Sequence, residues 1–133
     1  MISKGIQIIT EERERQIKEE GWTPEHDAEH VHNEMAIAAA AYAMPSQLRN
    51  IQKRVVQMKD EKIFRVISSP KYWPWDIKWW KPTPNDRIRE LAKAGALIAA
   101  EIDRLLAADK NTEAMGILSQ FFDSEITTDK IDL

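Results

Sequence analysis

Apolar and polar positions divide the chain into segments of different period. From Thr10 to Glu20 the stretch EERERQIKEE is polar nearly all round, with Ile9 and Ile17 as its few apolar anchors, and it predicts a mostly solvated first helix. A turn at Gly21-Trp22-Thr23-Pro24 opens a second helix running to about Met44, before Pro45. Thr23 can cap its open amides, Pro24 fits the first helical position and Glu25 complements the dipole. Ala36, Ala38, Ala39, Ala40, Ala41 and Ala43 leave little bulk on that helix, so a neighbour can approach closely. Within 46–69, the β-branched runs Arg54 to Met58 and Ile63 to Ile67 flank a polar turn, Lys59-Asp60-Glu61-Lys62, and read as a small β-hairpin. Leu48, Ile51, Val55 and Met58 also stand at helical spacing, so a helix over 46–58 is the alternative.

Residues 70–84, PKYWPWDIKWWKPTP, hold four prolines and four tryptophans and form a structured Trp/Pro-rich loop, since neither helix nor central strand tolerates that composition. Thr83-Pro84 repeats the cap-plus-proline start for a third helix, in which Ile88, Leu91, Gly95, Ile98, Ile102 and Leu105 recur at alternating intervals of three and four. That is a heptad seam, and it must pack on another helix. A short fourth helix, about Thr112 to Phe122, carries Met115, Leu118, Phe121 and Phe122, and the acidic tail 123–133 is expected to be mobile. The expected fold class is mainly α, a single helical domain over 1–133. Its core is thin for one chain, so we expect a helical bundle completed by homo-oligomerisation, at least a dimer.

Composition narrows the function classes. The length of 133 residues fits one domain, and the hydrophobic content of 43% allows a packed core. Nineteen Lys and Arg against 22 Asp and Glu leave a net charge of −3, which disfavours a nucleic-acid partner. Cysteine is absent, which removes disulfides, thiolate zinc sites, iron–sulfur clusters and thiol nucleophiles and fits a reducing compartment. No apolar run is long enough for a signal peptide or a membrane span, so the expected setting is soluble and cytoplasmic, without a membrane partner.

All three histidines lie between 26 and 32. On a continuous second helix His26, His30 and Glu34 stand at i, i+4 and i+8 and Asp27 joins their face, a set able to hold a divalent metal, magnesium or manganese, or to do acid–base work. The plain alternative is a charged first helical turn with solvated or paired histidines. Glu34 is the strongest single candidate because it adjoins Met35 and the alanines. Glu101, flanked by Ala99, Ala100 and Ile102, needs a partner: a metal, a histidine or, the favoured choice, Arg104 in an ordinary ion pair. Glu90 and Lys93 lie earlier on the same helix, Lys93 as an anion contact or simply a solvated lysine. In the loop, Trp73, Trp75, Trp79 and Trp80 with Tyr72, Lys78 and Lys81 combine stacking faces and cations, as needed to hold a base with its phosphates. The alternative is indoles capping a small core.

The order of motifs carries a resemblance. Glu12-Arg-x-Arg-Gln16, Gly21-Trp22, His30-Val-His-Asn-Glu-Met35, Trp73-Pro-Trp75, Trp79-Trp-Lys-Pro82 and the run from Arg89 to Leu105 resemble a family of small uncharacterised phage and prophage proteins. The resemblance covers 12–45 and 70–106, with 46–69 as an insertion, and it implies the host cytoplasm. More remotely the chain is similar to the MazG-like, all-α nucleoside triphosphate pyrophosphohydrolases. Those are dimeric or tetrameric bundles that bind magnesium and a triphosphate through a Glu-Glu-x-x-Glu motif on one helix and Glu-x-x-Asp on a later one. The resemblance implies that Glu34 matches the last glutamate of the first motif and Glu90 the glutamate of the second. Val31 and His30 stand where that family has acidic ligands, and Lys93 stands at the aspartate of the second motif. Either the metal has changed, using His26, Asp27 and His30, or phosphate is bound directly through Lys93.

Three functions follow as expectations. One is a metal-dependent nucleoside triphosphate pyrophosphohydrolase with Glu34, Glu90 and Glu101 as ligands, base or support, and Lys93, Lys81 and the four loop tryptophans on the substrate. The second is a non-catalytic binder of a nucleotide or other phosphate-containing small molecule. The third is a protein-interaction module, such as an inhibitor of a host factor, presenting the tryptophan loop.

Overall fold

The structure, a computed structural model, describes residues 1–57 and 64–122. It is mainly helical with one small two-stranded antiparallel sheet. Four helices, α1 (Lys4–Glu19), α2 (Pro24–Asp27), α3 (Glu34–Ala43) and α4 (Arg87–Phe122), alternate with strands β1 (Ile51–Gln57) and β2 (Phe64–Pro70) between α3 and α4. Among the described residues no helix is long and apolar enough to cross a membrane. The expected turn 59–62 and acidic tail 123–133 lie outside the described residues.

Helix α4 is the spine on which α1, α2 and α3 all pack. It begins later than Thr83-Pro84 predicts, because the Asp86 carboxylate caps it by accepting from the Arg89 N–H at 3.1 Å, while Thr83 and Asp86 close a turn ahead of it. It also runs without a break through the predicted fourth helix, and no proline interrupts the chain after Pro84. Against α4 lies α3, whose Met35, Ala38, Ala39 and Tyr42 pack on Ala94, Leu97 and Ala100. Small residues on both helices bring the backbones close, and the indoles of the 70–84 loop fill what remains: Trp73 is in the core, with Trp22, Trp75, Trp79 and Trp80 packed against it.

The second predicted helix is broken. A single turn, α2, has the expected Thr23 cap and Pro24 start, and the chain then leaves helical geometry over 28–33 before α3 begins. Asn33 adopts a left-handed conformation at φ 63°, and the Glu34 carboxylate folds back onto the His32 N–H, filling the open amide end of α3 with a negative charge. The predicted hairpin is present and the alternative helix over 46–58 is not. Its register pairs Ile51 with Pro70, Val55 with Val66 and Gln57 with Phe64.

Two further expectations are corrected. The first helix starts at Lys4, with Ser3 as cap, and is not merely a solvated rod: Glu12 and Gln16 are buried. The heptad seam does not pack on a helix of this chain along its length. Ile88, Leu91, Ile98, Ile102 and Leu105 are between 46% and 66% exposed, and α4 buries the neighbouring face with Glu90, Ala94, Leu97 and Glu101. Gly95 of the seam does meet another helix, where α1 crosses so closely that a Cβ would lie 2.6 Å from Ile9 Cδ1 and 2.8 Å from Ile9 Cγ1. Gly95→Val is therefore expected to cost about 1–3 kcal/mol through overpacking, read as a lower urea midpoint. An unchanged midpoint would show that α1 does not depend on this crossing.

Candidate functional site

Tyr42 fastens the aromatic loop to α3. Its hydroxyl donates to the Trp79 carbonyl at 3.3 Å and accepts from the Lys81 N–H at 3.1 Å. Burial pushes this hydroxyl up to about 12, so it stays a donor at any physiological pH. The ring meets Trp73 edge-on at 5.7 Å and Trp80 at 4.9 Å. Trp73 donates its Nε1–H to the Asp76 carbonyl at 3.2 Å, and Asp76 in turn accepts from the Lys78 N–H at 3.0 Å. The prolines and these bonds fix the loop, so that Trp75 and Trp79 come to face Trp22 at 6.1 and 6.2 Å.

Trp22 reaches this position because Gly21 ends α1 in a left-handed conformation at φ 71°. Trp22, Trp75 and Trp79, together with His26, His30 and Leu97, line a cavity of about 350 Å³. The Trp75 Nε1–H is buried without a hydrogen-bond partner among the described residues. His30 touches Trp75 at 5.3 Å and His26 at 5.0 Å, and its Nδ1 is 3.0 Å from Glu34 Oε2. A carboxylate only accepts, so the His30 Nδ1–H is the donor of this bond, and in the corresponding tautomer Nε2 is the free acceptor.

A second cavity of about 220 Å³ adjoins the first, and Glu20, Trp22, Trp79 and Leu97 belong to the walls of both. Its other walls are polar or ionic: Glu12, Arg15 and Gln16 from α1, Tyr42 from α3, Lys81 from the loop, Arg89 and Lys93 from α4. Arg15 binds Glu12 in bidentate fashion at 2.7 and 2.9 Å and reaches Glu20 at 3.3 Å, and the Glu12 bond raises its pKa above even the usual arginine range. Lys93 is 8% exposed; its Nζ donates to the Lys81 carbonyl at 2.7 Å and sits over the Tyr42 ring at 5.4 Å. Burial, then the charge of Arg89, pulls the Lys93 pKa below the usual lysine range.

The predicted site residues are distributed among these features and the framework. Trp75 and Trp79 face the first cavity, with Lys78 and Lys81 both over the Trp79 ring at 5.4 and 5.5 Å. Trp73 and Trp80 belong to the core, and Tyr72 is exposed beside Lys71. Glu90 is not at either cavity. It pairs with Arg49 at 2.9 Å and Arg87 at 3.4 Å and accepts from the Thr83 N–H at 3.1 Å, while both arginines donate to the last carbonyls of α3. Burial pushes the Glu90 carboxyl up, but these partners outweigh it and hold it below the usual carboxylate range. Glu101 pairs with Arg104 at 2.6 Å, leaving Oε2 buried and without a hydrogen-bond partner among the described residues. The helix break keeps His26, His30 and Glu34 together by a turn rather than by helical spacing.

The metal set does not fit an ion as arranged. Asp27 is buried against Arg13 at 3.0 Å, and Glu34 is occupied by His30 and the His32 N–H. Among the described residues no group of three or more His, Asp or Glu side chains is arranged to hold a metal. Composition and spacing, meanwhile, did not reveal Arg15, Gln16, Tyr42, Trp22 and Arg89 as site residues. The available signal was the motif Glu12-Arg-x-Arg-Gln16 in a helix with hardly any apolar face, since polar side chains on a helix that packs in the core must serve something polar.

No known protein-family profile, curated protein or solved structure matches the chain. The role of Glu90 is open to a direct measurement. Glu90→Gln leaves Arg49 buried without a counter-charge and is expected to lose about 3 kcal/mol of stability at neutral pH. The lowered carboxyl contributes stability above the unfolded pKa of about 4.3 and loses it as pH falls through the folded value. The gap between wild type and variant in urea denaturation should therefore narrow in acid. Equal stability at neutral pH would free Glu90 for a ligand role.

Proposed function

We propose that the protein binds a nucleotide, with the base among Trp22, Trp75 and Trp79 and the phosphates directed toward Lys81, Arg89 and Lys93. One observation carries this reading: an aromatic cavity and a cationic cavity share a wall, so a ligand with a flat apolar end and an anionic end spans both. The buried Trp75 Nε1–H adds a donor for a base acceptor. The remote similarity to the nucleoside triphosphate pyrophosphohydrolases points the same way, and a nucleotide ligand with a cysteine-free chain fits a cytoplasmic setting. The interaction-module reading is less well supported, because Trp73 is buried and Trp75, Trp79 and Trp80 are half-buried instead of displayed.

A hydrolytic reading has one observation in its favour, the His30–Glu34 pair. His30 lines the aromatic cavity and not the cationic one, so His30 Nε2 takes a proton from an attacking water only where a ligand turns its phosphate chain toward His30; Glu34, which holds the ring, is then a positioning residue. No step in that reading passes through a metal.

The ribo- and deoxyribonucleoside triphosphates of all bases are the probes, followed by tryptophan quenching and calorimetry. At least one is expected to bind saturably, and Trp79→Ala is expected to weaken it about tenfold or more, the loss of one stacking face. Pyrophosphate release abolished by His30→Gln would select the hydrolytic reading, and binding without turnover the non-catalytic one. Binding of none of them overturns the proposal.

The same proposal includes a second copy of the chain. The exposed Ile88, Leu91, Ile98, Ile102 and Leu105 keep coiled-coil spacing, a pattern whose natural complement is an identical helix. Ile6 of α1 adds to the apolar surface. Light scattering should report at least a dimer, and Leu91→Glu with Ile98→Glu should give a folded monomer. A monomeric wild type contradicts this part.

A further inference from the structure

The charges of the smaller cavity do not balance from within. Four cationic side chains, Arg15, Lys81, Arg89 and Lys93, line it against two carboxylates, Glu12 and Glu20. Both carboxylates are already held by Arg15, and Lys81 lies at 4.0 Å from Glu20. Lys93 is left with a backbone carbonyl and the face of Tyr42, and no carboxylate lies within ion-pair distance of it among the described residues. An ammonium held this deeply without a counter-ion is costly, and helix α4 could have carried a neutral residue there. Arg89, at the mouth, likewise has no carboxylate within ion-pair distance among the described residues. Gln16, 2% exposed, also lines this cavity, and its Oε1 is buried without a hydrogen-bond partner among the described residues. That oxygen can accept from a hydroxyl or amino group of a ligand.

We infer that this cavity is a phosphate-chain site in which Lys93 and Arg89 contact the phosphate oxygens directly, without a bridging divalent cation. The inference rests on the nucleotide reading and adds to it the mode of recognition. Several phosphates in sequence carry the negative charge that the surplus of cations lacks, and guanidinium and ammonium donors match phosphate oxygens. A magnesium ion at this position would face Lys93 and Arg89, whereas the two carboxylates that could attract it are already paired with Arg15. The missing ligand set for a metal and the surplus of cations are thus two sides of one design: the protein supplies the positive charge itself.

Inorganic tripolyphosphate, added in excess EDTA and followed by calorimetry, tests the cavity apart from the indoles. It is expected to bind and to compete with the nucleoside triphosphate that binds the wild type. Lys93→Met and Arg89→Met should each weaken both ligands about tenfold or more, the loss of a charge-assisted hydrogen bond. Binding of the corresponding nucleoside, which lacks phosphates, should be unchanged in both variants. Lys93→Met should melt no lower than wild type, because it removes a desolvated charge, and Arg89→Met alters only a residue at the mouth. Nucleotide binding that vanishes in EDTA, or that survives both substitutions, overturns the direct-contact inference and leaves the cleft reading standing. Tripolyphosphate binding without binding of any nucleotide overturns the cleft reading and keeps the phosphate site.

Discussion

Alanine packed against alanine along α3 and α4 is the constraint on which the rest depends. Helices this closely apposed have little side-chain volume of their own, and a domain of this size needs more apolar material to hold together. The indoles of the 70–84 loop and Trp22 provide it, fixed by the two hydrogen bonds of Tyr42. The core therefore ends in aromatic rings instead of closing over them, and the same faces that complete the packing on one side are open to a ligand on the other. In the proposed reading stability and binding share these residues: Trp73 and Trp80 serve the first, and Trp75 and Trp79 both.

The ionic architecture follows the same division. Around the last turn of α3, Arg49, Arg87 and Glu90 form a closed set: two cations satisfy the helix carbonyls and one carboxylate satisfies both cations. Arg49 also stands immediately before the hairpin, so this set ties the hairpin to the bundle. Around the smaller cavity the balance stays open, since Lys93 and Arg89 have no carboxylate within ion-pair distance among the described residues. A buried group that lowers stability is retained where binding needs it, and in the proposed reading Lys93 has that character.

Much of this fold was legible in the chain. Thr23-Pro24, the run of alanines, the hairpin at 46–69 and the proline-ruled loop all correspond to what forms, because each rests on local backbone chemistry. What failed depended on one local backbone break and otherwise on contacts remote in sequence. The break at 28–33 arises from Asn33 and from the Glu34 carboxylate turning back, and helical periodicity in EHDAEHVHNEM conceals it. The seam on α4 was real as spacing, yet the face that packs within the chain is the neighbouring one, carrying Glu90, Lys93 and Glu101 that no apolar count selects. Helix α1 differs for a remote reason: its buried side is Glu12 and Gln16, which face a cavity walled by α4 and the 70–84 loop, while the partner of Glu12 is Arg15 of the same helix. Of the candidate site, the indoles and Lys93 were found from residue type, whereas Arg15, Gln16 and Arg89 became visible once the helices were in place.

The central claim is that one ligand lies across both cavities against three particular indoles. The five tryptophans give separate indole N–H resonances in nitrogen-15 NMR, and titration with a nucleoside triphosphate reads each in turn. Saturable shifts of Trp22, Trp75 and Trp79, with Trp73 nearly still because its N–H remains bound to the Asp76 carbonyl, are the expected result. No saturable shift at any of those three, or equal small shifts at all five, would contradict the account.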